Sequence, residues 1–142
     1  GGESTTMAKL LHDLNMFDSL KHLIIQGLPV LGTCAGLILL AKKLENDQRI
    51  HLGVMDISVE RNGYGRQTSS FFTHDSFQHT IIPMTFIRAP YIKKYGPHVE
   101  VLAVVDGKVV AAREKKMLVT SFHPELNDDL TLHQYFLELI SK

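Results

Sequence analysis

Apolar positions along the chain follow two rhythms. Met7, Leu10, Leu11 and Leu14 recur at helical spacing, with Ser4 or Thr5 placed to cap the helix they predict. Phe17, Leu20, Leu23 and Ile24 repeat the pattern for a second helix, opened by Asp18 and ended by Gly27. A dense apolar run, Pro29 to Leu40, then reads as a buried strand that turns through small residues into a helix closing near Glu45. Strands are expected over 52–60, 68–73 and 84–88. Val99–Val105 and Lys108–Ala112 flank Asp106-Gly107, a two-residue hairpin signal. Arg113 to Lys116 reads as a polar turn, Met117 to Phe122 as a buried strand, and Asp128 to Ile140 as a closing helix capped by Asn127. Nearly continuous apolar strands between helices predict an α/β fold. Its sheet is expected to be layered, mostly parallel and flanked by helices, with a smaller antiparallel element.

The turn inside the dense run holds the only cysteine of the chain, in Gly32-Thr33-Cys34-Ala35-Gly36. A strand-to-helix corner holds a side chain clear of the backbone, and the start of a helix favours thiolate over thiol. Small neighbours permit the sharp turn and leave room for a substrate, the logic of a nucleophile elbow. A lone cysteine is more commonly a buried structural residue, so a partner is needed to tip the balance. Ser121-Phe122-His123-Pro124-Glu125 supplies one at the end of another apolar strand. His123 and Glu125 are two apart, so in an extended segment they leave on one face, a carboxylate beside an imidazole base. A surface loop explains any single His-x-Glu. An elbow cysteine together with a strand-end His-Pro-Glu favours catalysis.

Composition narrows the classes. A chain of 142 residues, 44% hydrophobic, suits one domain over 1–142. Fifteen basic and fifteen acidic residues argue against a nucleic-acid or anionic-membrane partner. One cysteine makes no internal disulfide, which points to a reducing, cytoplasmic compartment. The apolar stretch from Leu28 to Ala41 is too short for a bilayer, which takes about 20 residues. The other histidines (His12, His22, His51, His74, His79, His98 and His133) lack paired metal-ligand spacing, so no metal is expected.

The Gly-Thr-Cys-Ala-Gly and Ser-Phe-His-Pro-Glu segments resemble the nucleophile and His-Glu motifs of triad, class I glutamine amidotransferases. Gly1-Gly2-Glu3-Ser4-Thr5-Thr6, Glu60-Arg61-Asn62, Tyr64-Gly65-Arg66-Gln67 and Phe86-Ile87-Arg88-Ala89-Pro90 narrow the likeness. Together they resemble the glutaminase-subunit family of two-subunit pyridoxal 5′-phosphate synthases, in family order over essentially the whole chain. The resemblance implies a flavodoxin-like fold and hydrolysis of L-glutamine to L-glutamate and ammonia by Cys34, His123 and Glu125. Ammonia would pass to a synthase (lyase) subunit in a hetero-oligomer that makes pyridoxal 5′-phosphate (vitamin B6). That compound would be the product of the complex, and no cofactor is expected on this chain. The resemblance assigns glutamine contacts to Gly2, Glu3, Ser4, Arg61, Ile87 and Arg88. It assigns the oxyanion hole to the backbone of Ala35 and of the Gly1-Gly2 loop. An arginine suits the α-carboxylate of glutamine and a carboxylate suits its ammonium, although sequence does not say which arginine serves.

Family members carry a strand-helix-strand unit ahead of the Gly-Gly loop, and such units take roughly 30 residues or more. The sequence starts at that loop, so a fragment lacking this unit is the expectation. Two other functions compete with the glutaminase subunit. One is a related triad amidotransferase or γ-glutamyl hydrolase of another pathway, which the Gly-Gly-Glu-Ser-Thr and Phe-Ile-Arg-Ala-Pro segments disfavour. The other is an inactive, truncated chain that only binds the synthase.

Overall fold

All four residues of the strand Met117–Thr120 are buried. Their side chains alternate between two cores, Met117 and Val119 in one and Leu118 in the other. A strand apolar on both faces has to lie within a sheet covered on both sides. The computed structural model describes residues 9, 12–45, 47–48, 50–61 and 70–141. The described elements run α1 (Phe17–Ile25), β1 (Val30–Thr33), α2 (Ala35–Leu40), β2 (Ala41–Leu44), β3 (Met55–Glu60), β4 (Phe71–Phe77) and β5 (Thr80–Phe86). They continue with β6 (Tyr91–Tyr95), β7 (Glu100–Val105), β8 (Lys108–Glu114), β9 (Met117–Thr120), a 3₁₀ turn (Pro124–Leu126) and α3 (Thr131–Ile140).

The main sheet has the order β1-β9-β8-β6-β3-β2, with β7 also paired to β8, and β4 and β5 form a separate two-stranded ribbon. One face carries α1 and α2, whose Ile24, Leu37 and Leu40 pack with Met55, Val59 and Ile92. The other carries the ribbon and α3, through Phe77, Met84, Phe86, Leu132 and Leu139 against Val110, Leu118 and Phe122. The layered α/β fold is thus present. Its sheet is mixed: β1–β9 and β2–β3 are parallel, while β3–β6, β6–β8, β7–β8 and β8–β9 are antiparallel. Two tight turns account for much of the antiparallel pairing. Asp106 and Gly107 both take positive φ (52° and 76°) to close β7–β8, and Lys115 (55°) turns β8 into β9.

Local expectations hold unevenly. Gly27, at φ 113°, ends α1, and the Leu28 N–H donates to the Leu23 carbonyl at 2.9 Å. The expected helix to Glu45 stops at Leu40, because Ala41 turns extended (φ −65°, ψ 140°) and residues 41–44 join β3. The sequence pattern predicts no strand over Tyr91–Tyr95, where β6 forms. Lys93, Lys94 and Tyr95 in it are exposed and Ile92 alone is buried, which leaves no clear alternation to read. The closing helix begins at Thr131, after the Asp129 carboxylate accepts the Thr131 N–H at 2.9 Å; Asn127 does not cap it. The expected first helix falls mostly outside the described residues. Among the described residues no helix is long and apolar enough to cross a membrane.

Candidate active site

The parallel pairing of β1 with β9 brings the two motifs together. Thr33 and Thr120 are register partners at the ends of these strands, and the Cys34 N–H donates to the Thr120 carbonyl at 2.8 Å. Whatever follows Thr33 and Thr120 therefore leaves the sheet at the same edge. Open α/β sheets place their sites at the carboxyl ends of strands in this way.

Cys34 occupies the corner between β1 and α2, with φ 53° and ψ −100°. A residue with a Cβ is strained in that region, and backbone strain of this kind gathers at functional sites. The elbow is also crowded underneath. A Cβ on Gly32 would lie 3.0 Å from the carbonyl carbon and oxygen of Gly36 and 3.0 Å from Leu40 Cδ1. Glycine at 32 thus lets β1 and α2 approach. At Gly36 an added Cβ meets nothing within 4 Å, so the small residue there is not required by packing among the described residues. Sγ of Cys34 donates to the Ile87 carbonyl at 3.8 Å.

Beyond Thr120 the chain is steered by its own backbone. The Thr120 hydroxyl donates to the Phe122 carbonyl at 2.7 Å, and the Ser121 N–H donates to the Val110 carbonyl at 2.7 Å. The His123 N–H then donates to the Thr85 carbonyl at 2.8 Å. His123 is extended (φ −103°, ψ 91°), and Pro124, whose ring suits the first position of a helical turn, starts the 3₁₀ turn. This turn, and not the continuous extended segment that the spacing suggested, brings Glu125 back to His123. Nδ1 of His123 and Oε2 of Glu125 lie 2.8 Å apart, with the imidazole 7% and the carboxylate 50% exposed. Partial burial pushes the Glu125 carboxyl up. The hydrogen bond from His123, its own backbone N–H and the imidazole charge outweigh that and hold it below the ordinary carboxylate value.

The other expected residues are placed unequally. Ala35 is buried at the first position of α2, directly after Cys34. Ile87 meets Cys34 through its carbonyl, and Arg88 follows at φ 47° with its N–H donating to the Ser70 hydroxyl at 3.2 Å. Arg61 follows directly after β3, and its guanidinium lies 3.6 Å from the Asp47 carboxylate. Gly2, Glu3 and Ser4 lie outside the described residues. Cys34, Ala35, Ile87, His123 and Glu125 therefore gather at the carboxyl ends of β1 and β9, whereas Arg61 follows β3, which β6, β8 and β9 separate from β1. Among the described residues no group of three His, Cys, Asp or Glu side chains is arranged to hold a metal ion. Nothing in the sequence around Thr85, 38 positions from His123, signals the contact between them.

Comparison with known proteins agrees with this geometry. The chain is 60% identical over 140 residues to a pyridoxal 5′-phosphate synthase subunit PdxT of Streptococcus pneumoniae (strain CGSP14), covering 98% of this chain and 72% of that protein. It is 58% identical to the PdxT of Streptococcus pneumoniae serotype 2 (strain D39 / NCTC 7466), with the same coverage. A crystal structure of a glutamine amidotransferase superposes with a TM-score of 0.92 at 42% identity, covering all of this chain and 77% of that one. The SNO glutamine amidotransferase family model matches residues 1–142. Sequence, fold and family model agree, and the chain belongs to the SNO glutamine amidotransferase family.

Proposed function

We propose that this chain is the glutaminase subunit of a pyridoxal 5′-phosphate synthase, with Cys34 as nucleophile, His123 as acid and base, and Glu125 as its orienting carboxylate. We read residues 1–142 as one glutamine amidotransferase domain. The observation that carries the assignment is the 2.8 Å contact of His123 Nδ1 with Glu125, on the turn that β9 delivers beside the Cys34 elbow. With Nδ1 engaged by the carboxylate, Nε2 is the ring nitrogen left for proton transfer.

The reaction follows from these positions. The Cys34 thiolate attacks the side-chain carboxamide of glutamine, and the carbonyl oxygen takes the negative charge. The backbone N–H of Ala35 and the Gly1-Gly2 loop would stabilise it. His123 protonates the departing nitrogen, so collapse releases ammonia and leaves a γ-glutamyl thioester. The same imidazole then takes a proton from water, which attacks the thioester and frees glutamate. Glu125 holds the ring and favours its charged form at both steps. Arg61, Ile87, Arg88, Gly2, Glu3 and Ser4 would hold the glutamine head group. Ammonia would pass to the synthase subunit, which is also the protein partner. A reducing cytoplasm suits a chain whose single cysteine has to remain a thiol.

The test is ammonia release from glutamine, with and without the synthase subunit. Wild type is expected to release ammonia in the complex, and Cys34→Ala none, with the fold retained. Release by Cys34→Ala at the wild-type rate overturns the assignment. Wild-type release without transfer to the synthase would favour the amidotransferase of another pathway.

A further inference from the structure

The His123–Glu125 turn is held at both ends by a single residue of the β4–β5 ribbon. At its entry the His123 N–H donates to the Thr85 carbonyl at 2.8 Å. At its exit the Asn127 amide nitrogen donates to the Thr85 hydroxyl at 3.1 Å, and the amide oxygen lies 3.4 Å from the same hydroxyl. Asn127 is also the residue that closes the turn, its N–H donating to the Pro124 carbonyl at 3.3 Å. One residue along β5, Phe86 packs edge-on to Phe122, with ring centroids 5.8 Å apart. One further, the Ile87 carbonyl receives the Cys34 thiol.

We propose that Thr85 and Asn127 form a latch that positions the His123–Glu125 pair, with the end of β5 serving as a brace shared by both halves of the active site. The inference rests on the catalytic reading of that pair and extends it to two positioning residues. Its logic is mechanical. Glu125 is half exposed and reaches His123 only through a three-residue turn, so its carboxylate is aligned only while the turn keeps one place. Fixing entry and exit to one residue, 38 and 42 positions away in sequence, removes the turn's freedom to rock over the sheet. Because β5 continues into Ile87, the same residue sets the turn's distance from the nucleophile.

Thr85→Val tests the latch in the complex with the synthase subunit. The substitution removes the hydroxyl while keeping a β-branched side chain suited to a strand. Losing one positioning hydrogen bond is expected to lower kcat for glutamine about fivefold to tenfold, with KM changed by less than about twofold. Thr85→Ser, which restores the hydroxyl, is expected to recover kcat. Thr85→Val combined with Asn127→Ala is expected to lose no more than either alone, because both break one contact. Amide hydrogen exchange at Leu126 and Asn127 is expected to quicken in Thr85→Val. An unchanged kcat in Thr85→Val, failure of serine to restore it, or a double variant whose loss is the product of the two single losses overturns the latch. If the wild-type complex releases no ammonia, the glutaminase reading falls and the exchange comparison alone decides: unaltered exchange in Thr85→Val overturns the latch, and faster exchange supports it.

Discussion

Replacing Cys34 with glycine is expected to give a more stable protein than replacing it with alanine, although both remove the thiol. The perturbation isolates the backbone of the elbow. At φ 53° and ψ −100° a residue with a Cβ lies outside the regions that L-residues favour, and only glycine adopts that conformation freely. Holding such a conformation costs about 1–3 kcal/mol. Glycine relieves it but loses about 0.5–1 kcal/mol through the greater freedom of its unfolded chain. The contact of Sγ with the Ile87 carbonyl is lost in both variants and cancels. The difference should therefore be about 1 kcal/mol in favour of glycine, or roughly 3–5 °C in melting temperature for a chain of this length. Parallel thermal melts of the two variants measure it, and both should release no ammonia from glutamine. Alanine as stable as glycine, or more so, would show that the elbow is unstrained and that its geometry does not aim the thiol.

Three further outcomes are expected. Gly32→Ala places a Cβ 3.0 Å from the Gly36 backbone and should destabilise the fold by about 1–3 kcal/mol, read as a lower urea midpoint; an unchanged midpoint would refute the close approach of β1 and α2. The Glu125 carboxyl titrates below its ordinary value when folded, so its pairing with His123 stabilises the protein above that ordinary value and the benefit disappears as pH falls through the lowered folded one. The advantage of wild type over Glu125→Gln in urea melts should thus be small, since the carboxylate is half exposed, and should vanish on acidification; a gap that widens in acid contradicts the sign. His123→Asn should lower kcat about 10²–10⁴-fold and Glu125→Ala less, and the reverse order in a glutaminase assay would contradict the roles assigned to them.

The sequence revealed the site where chemistry is written locally and hid it where the fold supplies the contact. The Gly-x-Cys-x-Gly corner is legible because a strand-to-helix turn with a left-handed residue needs small neighbours, and Gly32 meets that need directly. His123 and Glu125 are legible as a pair because they are two apart, even though a 3₁₀ turn, not an extended segment, joins them. The hairpin at Asp106-Gly107 was readable for the same reason, since both residues carry positive φ. Failures share the opposite cause. Ala41-Lys42-Lys43-Leu44 continues a helical run in sequence, yet parallel pairing with β3 makes it a strand. Tyr91–Tyr95 becomes a strand because its neighbours in space, β3 and β8, leave a gap that it fills. Asn127 shows the limit most clearly. An asparagine ahead of a helix is ordinarily a cap. Here the helix starts four residues later, and the side chain turns instead to Thr85, 42 positions back. Local pattern shows that this residue wants a hydrogen bond; only the packed ribbon decides with whom. The residues that perform chemistry are therefore readable from their own segments, and those that align them become visible only when distant segments meet.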